Sequence, residues 1–188
     1  EVIDGILDGI PTTGYTTPMS YPGRVLVWHD EFEGNSLSDD WKHEVGLESL
    51  IDNFSQRQYQ YYKAENTRVK GSYLIIQTKK ESFGGRQYTS SKITTQNKQS
   101  FKYGRIDIRA ILPRGQAVKA SLSMLGDSFS SIGWPDCGQI KIAKSLKDFV
   151  TEDATVRGEL RLRNRFDRHH YRLNNGTFAD EFHVFSIV

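Results

Sequence analysis

Short segments that alternate apolar with polar residues, separated by turns holding glycine or proline, recur along this chain and constrain its fold more than any other feature. In YGRIDIRAI (103–111), Ile106, Ile108 and Ala110 point to one face and Arg105, Asp107 and Arg109 to the other, the period of a half-buried strand. Strand signals also mark NTRVKG, SYLIIQTKKE, RQYTSSKITTQN, AVKASLSML, CGQIKIAK, TVRGELRLRNR and DEFHVFSIV, and RVLVWHDEF (24–32) reads as a buried strand. The turns FGG and PRG punctuate the series. LESLIDNFSQRQYQYY mixes helical with strand spacing, and only SLKDFVTED looks locally helical. Regularly spaced strands without long intervening helices predict an all-β fold, an antiparallel β-sandwich.

A chain of 188 residues suffices for one domain with a single large core. Residues 1–23, with Gly, Thr and Pro in clusters, read as an N-terminal tether, and 24–188 as the sandwich domain. No apolar run nears the roughly 18 residues that a membrane span requires. A net charge of +2 is too small to imply nucleic acid. The charge is unevenly placed: from Gln139 to Arg172 there are nine Lys or Arg against five acids, so the basic excess is local. Cys137 is the single cysteine, which excludes an internal disulfide, and it reads as a buried small hydrophobe rather than a catalytic thiol. The opening residues carry acids where a signal peptide would carry bases.

Several collinear stretches resemble glycoside hydrolase family 16, in particular the bacterial laminarinases, which cut β-1,3-glucan. They are YTTPMSYPGRVLVWHDEFEGNSL, QYYKAENTRVKGSYLIIQTKKESFGGRQYTSSKITTQ, KQSFKYGRIDIRAILPRGQ, MLGDSFSSIGWPDCG and GTFADEFHVFSIV, together well over half the chain. WHDEFEG, KYGRIDIRA and GWPxCG are specific in combination. The resemblance implies a β-jelly roll of two curved sheets with a sugar groove on the concave face, and a secreted or periplasmic location. It also implies about 50 further residues and the last sandwich strands beyond Val188. Either the chain is a fragment, or their place would be taken by LESLIDNF, SLKDFVTED and the tether, or by a partner chain, a dimer through uncovered strand edges included.

Departures from the family pattern cluster where its chemistry sits. After GWPxCG the family reads Glu-Ile-Asp-Ile-Met-Glu, which the resemblance makes nucleophile, supporting acid and general acid/base. Here those positions hold Gln139, Lys141 and Lys144. Retaining hydrolysis needs two carboxyl groups roughly 5 Å apart, and neither an amide nor an ammonium group can attack as a carboxylate or donate as a carboxylic acid. AVKASLSML replaces a tryptophan-rich stretch, putting Lys119, Leu122 and Ser123 near groove positions; Ser55, Gln56, Arg57 and Gln58 replace a sugar-contacting loop; Lys92, Arg157 and Arg161 stand at other groove positions, and Trp134 is retained.

Period-2 geometry puts Lys141 on the face of Gln139, with Ile140 and Ile142 facing the core; Lys144 joins that face only across a bulge, as the resemblance implies. Arg157, Arg161, Arg163 and Arg165 share a face with Glu159, opposite Val156, Leu160 and Leu162. Two readings fit this cationic face: a groove for polysaccharide, neutral β-glucan or an anionic glycan, or a solvated sheet face kept soluble by its charges. His169 and His170, as strand neighbours, point apart and make a poor metal pair. His29, Asp30, Glu31 and Glu33 resemble a cluster that is mainly structural in the family and lies near a calcium site, the one cofactor the resemblance suggests. The expected function is a laminarinase-like domain without hydrolytic activity that binds carbohydrate or serves as scaffold. The alternatives are a hydrolase using relocated acids such as Asp136, Asp148 or Glu152, and a redesigned or shortened scaffold with no ligand.

Overall fold

The computed structural model describes residues 8–47, 59–115, 118–145 and 155–188. Most of LESLIDNFSQRQYQYY, nearly all of SLKDFVTED, and Arg57, Asp148 and Glu152 therefore lie outside the described residues. The chain divides into two compact units, Gly23–Lys102 and a second formed by Glu1–Pro22 with Tyr103–Val188.

The Gly23–Lys102 unit holds β1 (Lys42–His43), β2 (Gln60–Tyr62), β3 (Thr67–Lys70), β4 (Tyr73–Ile76), β5 (Tyr88–Ser90) and β6 (Ile93–Thr94). β1 pairs with β6 and β3 with β4, both antiparallel. β2 and β5 instead run parallel, a departure from the antiparallel expectation, because the chain returns in the same direction after the β3–β4 hairpin. The FGG turn closes as read: Phe83 and Arg86 exchange backbone hydrogen bonds of 3.0 and 2.9 Å across Gly84 and Gly85, whose φ values are 56° and 75°. A Cβ on Gly84 would meet the Tyr61 ring at 2.4 Å, so the ring needs a glycine there.

RVLVWHDEF does not form the expected buried strand. Residues 24–32 carry no strand structure, and Val25, Leu26 and Val27 are 86%, 52% and 80% exposed. The physical reason is the lack, among the described residues, of a strand hydrogen-bonded alongside, which an extended apolar segment needs to satisfy its backbone. Side chains hold the segment instead. Asp30 accepts hydrogen bonds from Trp41 Nε1 (2.8 Å), Ser38 Oγ (2.9 Å) and the Phe32 amide (2.7 Å), while Trp28 Nε1 donates to Asp40 (2.8 Å).

The second unit holds β7 (Ile106–Ala110), β8 (Ser121–Leu125), the short α1 (Phe129–Ile132), β9 (Gln139–Ser145), β10 (Thr155–Leu162), β11 (Arg165–Arg172) and β12 (His183–Ile187). Four strands form an antiparallel sheet in the order β11-β10-β9-β8, and β7 pairs with β12. One face of the sheet is apolar. Ala143 and Val156 cluster with Leu112, Phe178 and Phe185, and Ala110, Leu122, Ile142 and Leu173 pack around them. Phe178 meets Phe185 at a ring separation of 5.6 Å and His183 edge-on at 4.8 Å. The edge strand β11 is exposed throughout and carries Arg165, Arg168 and Arg172, charges that discourage pairing with another edge.

The described part of the N-terminal segment packs on this unit. Tyr15 N donates to Phe182 O (2.8 Å), Phe182 N donates to Thr13 O (3.0 Å), and Arg109 Nε donates to Tyr15 O (2.7 Å). The Tyr21 hydroxyl donates to Asp107, which also accepts from Arg105 Nε at 2.8 Å and from Ser186 Oγ at 2.6 Å. A Cβ on Gly14 would lie 2.3 Å from Phe182 O, so this close backbone approach depends on a glycine.

In the first unit the fully buried Asn66 donates from Nδ2 to Gln77 O (3.0 Å) and to Thr89 Oγ1 (2.9 Å), and Thr89 Oγ1 donates to Glu81 (2.6 Å). Asn66→Ala would strand two acceptors in the interior. It is expected to lower unfolding free energy by about 1–3 kcal/mol, read as a reduced urea midpoint with unchanged slope.

Candidate functional site

The polar face of the four-stranded sheet is set by a bulge. Lys141 lies opposite Glu159 and Lys144 opposite Arg157, so three steps on β9 match two on β10; on the other side Ala143 faces Leu122 and Lys141 faces Ser123. The extra residue is Ile142, which packs with Ala143 against the core and brings Lys144 round to the side of Lys141. Gln139, opposite Arg161 and buried, completes the row. Of the replaced groove stretch, Ser123 stands on this face, whereas Leu122 packs against the core cluster.

The hairpin from β10 to β11 corrects one expectation. Arg163 and Arg165 do not continue the β10 face, because the chain turns at 163–164 and Arg165 lies opposite Leu162. Residues opposite one another across an antiparallel pair share a face, so Arg165 sides with Leu162. Phe166, Arg168 and His170 take the polar face instead, opposite Arg161, Glu159 and Arg157, while His169 points the other way. The pattern RFDRHHYR carried this information, but its register was hidden until the turn was located.

Glu159 is the centre of the face, with a side chain only 8% exposed. Lys141 Nζ reaches Oε2 at 3.0 Å, Arg157 Nη1 reaches Oε1 at 3.1 Å, and Arg168 Nε stands 3.6 Å from Oε1. Burial alone would raise its pKa, but the hydrogen bonds from Lys141 and Arg157, with the charges of Lys141 and Lys144, outweigh it and bring the carboxyl from 4.5 down to about 2. Arg161 lies between two rings, 5.1 Å from that of Trp134 and 5.0 Å from that of Phe166, and Arg168 stands 4.9 Å from Phe166. Trp134 is carried by the loop from α1 to β9, which Arg163 Nε meets at Asp136 (3.5 Å). Two donors on this side, Trp134 Nε1 and Arg157 Nε, are buried without an acceptor among the described residues.

Lys141, Lys144, Arg157, Arg161 and Arg168 thus surround one carboxylate on this face, and among the described residues of the four strands no second carboxylate shares it. The arrangement can donate hydrogen bonds and attract negative charge. Among the described residues of the four strands it holds neither the second carboxyl group of a retaining pair nor an acid held protonated near neutral pH.

The remaining candidates fall elsewhere. Lys92 belongs to the Gly23–Lys102 unit, where its Nζ lies 2.6 Å from Glu44 Oε2. Cys137 is half-buried rather than buried, with Sγ 3.3 Å from Gly138 O. Asp30 is occupied by structural hydrogen bonds, and among the described residues no three His, Cys, Asp or Glu side chains converge as metal ligands. Reading the sequence undervalued Glu159 and missed Arg168 and Phe166, whose roles arise only from cross-strand register.

Because the pKa of Glu159 is depressed on folding, its stabilisation is fully present above the unfolded value and is lost as pH falls from about 4.5 towards about 2. With allowance for solvent screening, that loss is on the order of 2 kcal/mol. Urea unfolding at pH 7, 4 and 3 is expected to show the decline in the native chain, while Glu159→Gln begins lower at pH 7 and falls less steeply.

No family model matches the chain. Among curated proteins it is 32% identical over 167 residues to the clotting factor G alpha subunit of Tachypleus tridentatus, covering 88% of this chain and 24% of that protein. It is 38% identical over 148 residues to a β-glucanase of Rhodothermus marinus, covering 75% and 50%. Over 109 residues it is 34% identical to a β-1,3-glucan-binding protein of Penaeus monodon, covering 53% and 30%. The chain spans between a quarter and a half of the length of these relatives. Among solved structures, the laminarinase catalytic domain of Thermotoga maritima matches with a TM-score of 0.74 and 32% identity, covering 86% of this chain and 68% of that one. SCLam, a non-specific endo-β-1,3(4)-glucanase from family GH16, matches with a TM-score of 0.73 and 26% identity, covering 90% and 67%. The all-β architecture is therefore that of the jelly-roll β-sandwich. Sequence likeness and shared fold lead to one conclusion: the chain belongs to glycoside hydrolase family 16, on its laminarinase-like side.

Proposed function

We propose that this chain is a catalytically silent laminarinase-like domain that binds β-1,3-glucan without cutting it, acting outside the cell. The observation that carries this reading is the clamp on Glu159. The one carboxylate on the described polar face is held ionised between Lys141 and Arg157 at 3.0 and 3.1 Å, where it serves as their counter-ion. The transition state of glycoside cleavage is oxocarbenium-like, and surrounding ammonium and guanidinium groups disfavour that developing charge. Binding needs none of this chemistry. Trp134 supplies an aromatic face, and the exposed cations donate to sugar hydroxyls. Support from similarity lies on both sides of the catalytic divide, in a β-glucanase and in a β-1,3-glucan-binding protein.

The test has two measurements. Incubated with laminarin, the native chain, Glu159→Gln and Asp136→Asn are all expected to release no reducing ends above a blank. Turnover by the native chain that either substitution abolishes would establish a hydrolase with relocated acids. In affinity electrophoresis the native chain is expected to be retarded by laminarin, and Trp134→Ala to weaken that retention by roughly tenfold, the loss expected when an aromatic anchor is removed. A native chain that migrates unretarded at saturating laminarin would be a scaffold, and the binding reading would be wrong.

A further inference from the structure

We infer that the preferred ligand of this face is an anionic polysaccharide, one bearing sulfate or carboxylate groups, with the strip formed by Lys141, Lys144, Arg157, Arg161 and Arg168 as its docking site. The inference deepens the glucan-binding reading and rests on it for the polymer class. Three observations carry it.

Charge comes first. Among the described residues of the four strands, five cations share the face with one carboxylate, which is hydrogen-bonded to Lys141 and Arg157. The net positive charge is fixed over the pH range in which Glu159 stays ionised, and a low-dielectric sheet surface focuses its field on a passing anion. A neutral glucan has no use for this excess, whereas a polymer with one anion every sugar or two meets a row of cations spaced by strand separation, about 4.8 Å.

Hydrogen-bonding capacity comes second. Lysine and arginine side chains only donate, and the Arg168 side chain is 42% exposed, so a sulfate or carboxylate oxygen, which only accepts, is its complementary partner. The third observation is the state of the rings. Trp134 and Phe166 hold Arg161 at 5.1 and 5.0 Å, and Arg168 stands 4.9 Å from Phe166. Guanidinium groups stacked in this way are pre-oriented for bidentate contact with sulfate or carboxylate.

The test uses the full chain and two polymers of one backbone, neutral laminarin and a sulfated β-1,3-glucan, at 50 and 300 mM NaCl, with single-stranded DNA as a third polyanion. At low salt the sulfated glucan is expected to bind roughly tenfold more tightly than laminarin, and to lose roughly tenfold or more at high salt. Arg168→Gln is expected to weaken binding of the sulfated glucan and flatten its salt dependence. Glu159→Gln should strengthen binding, because it removes the one negative charge. Circular dichroism verifies that each variant is folded, and if either is not, the native chain's preference and salt response decide alone. Equal affinity for the two glucans, or a preference insensitive to salt, overturns the inference and leaves glucan binding intact. Binding of the sulfated polymer without any of laminarin supports the inference and removes the neutral-glucan reading. DNA bound as tightly as the sulfated glucan overturns the assignment to polysaccharide.

Discussion

A buried carboxylate shared among cations is the interaction on which the polar face depends. Without Glu159, the Lys141 and Arg157 side chains, themselves mostly withdrawn from water, would face each other and Arg168 across neighbouring strands with no counter-charge. The same interaction decides the chemistry. A carboxyl group clamped by two charge-assisted hydrogen bonds is ionised, oriented and occupied, which makes it a good counter-ion and a poor nucleophile. The order of this face and the ionised state of its carboxylate thus follow from one set of distances.

The fold places this clamp through two local features. The bulge at Ile142 lets β9 send both Ile142 and Ala143 into the core while Lys141 and Lys144 remain together on the other side. The turn at 163–164 then folds β11 back so that Arg168 and Phe166 arrive beside Glu159 and Arg161. Behind the sheet, Val156, Phe178 and Phe185 provide the apolar layer that fixes the strands.

Much of this was legible in the residues. The alternation of β7 and β9, the shared face of Gln139 and Lys141 and the FGG turn all depend on local rules of period and backbone freedom, and sequence carries local rules directly; Lys144 joined that face only through the resemblance, because period alone does not mark the bulge. What failed depended on partners. RVLVWHDEF has the composition of a buried strand, yet lacks a ladder among the described residues, and apolar content cannot create one. The reversal that separates Arg163 and Arg165 from the β10 face is hidden in LRLRNRFD, where nothing marks it as strongly as a glycine pair would. The importance of Glu159 was likewise invisible in one dimension, since its partners lie on three strands: Arg157 on its own, Lys141 on β9, 18 residues away, and Arg168 on β11.

The most direct test of this account is the ionisation of Glu159 itself, followed by the carboxyl carbon resonance of the 13C-labelled chain and assigned with Glu159→Gln. A midpoint at about pH 2 is predicted from its clamp of Lys141 and Arg157. A midpoint above 5 would mean a carboxyl group free to carry a proton near neutrality, and would contradict the claim that Glu159 is held ionised as a counter-ion.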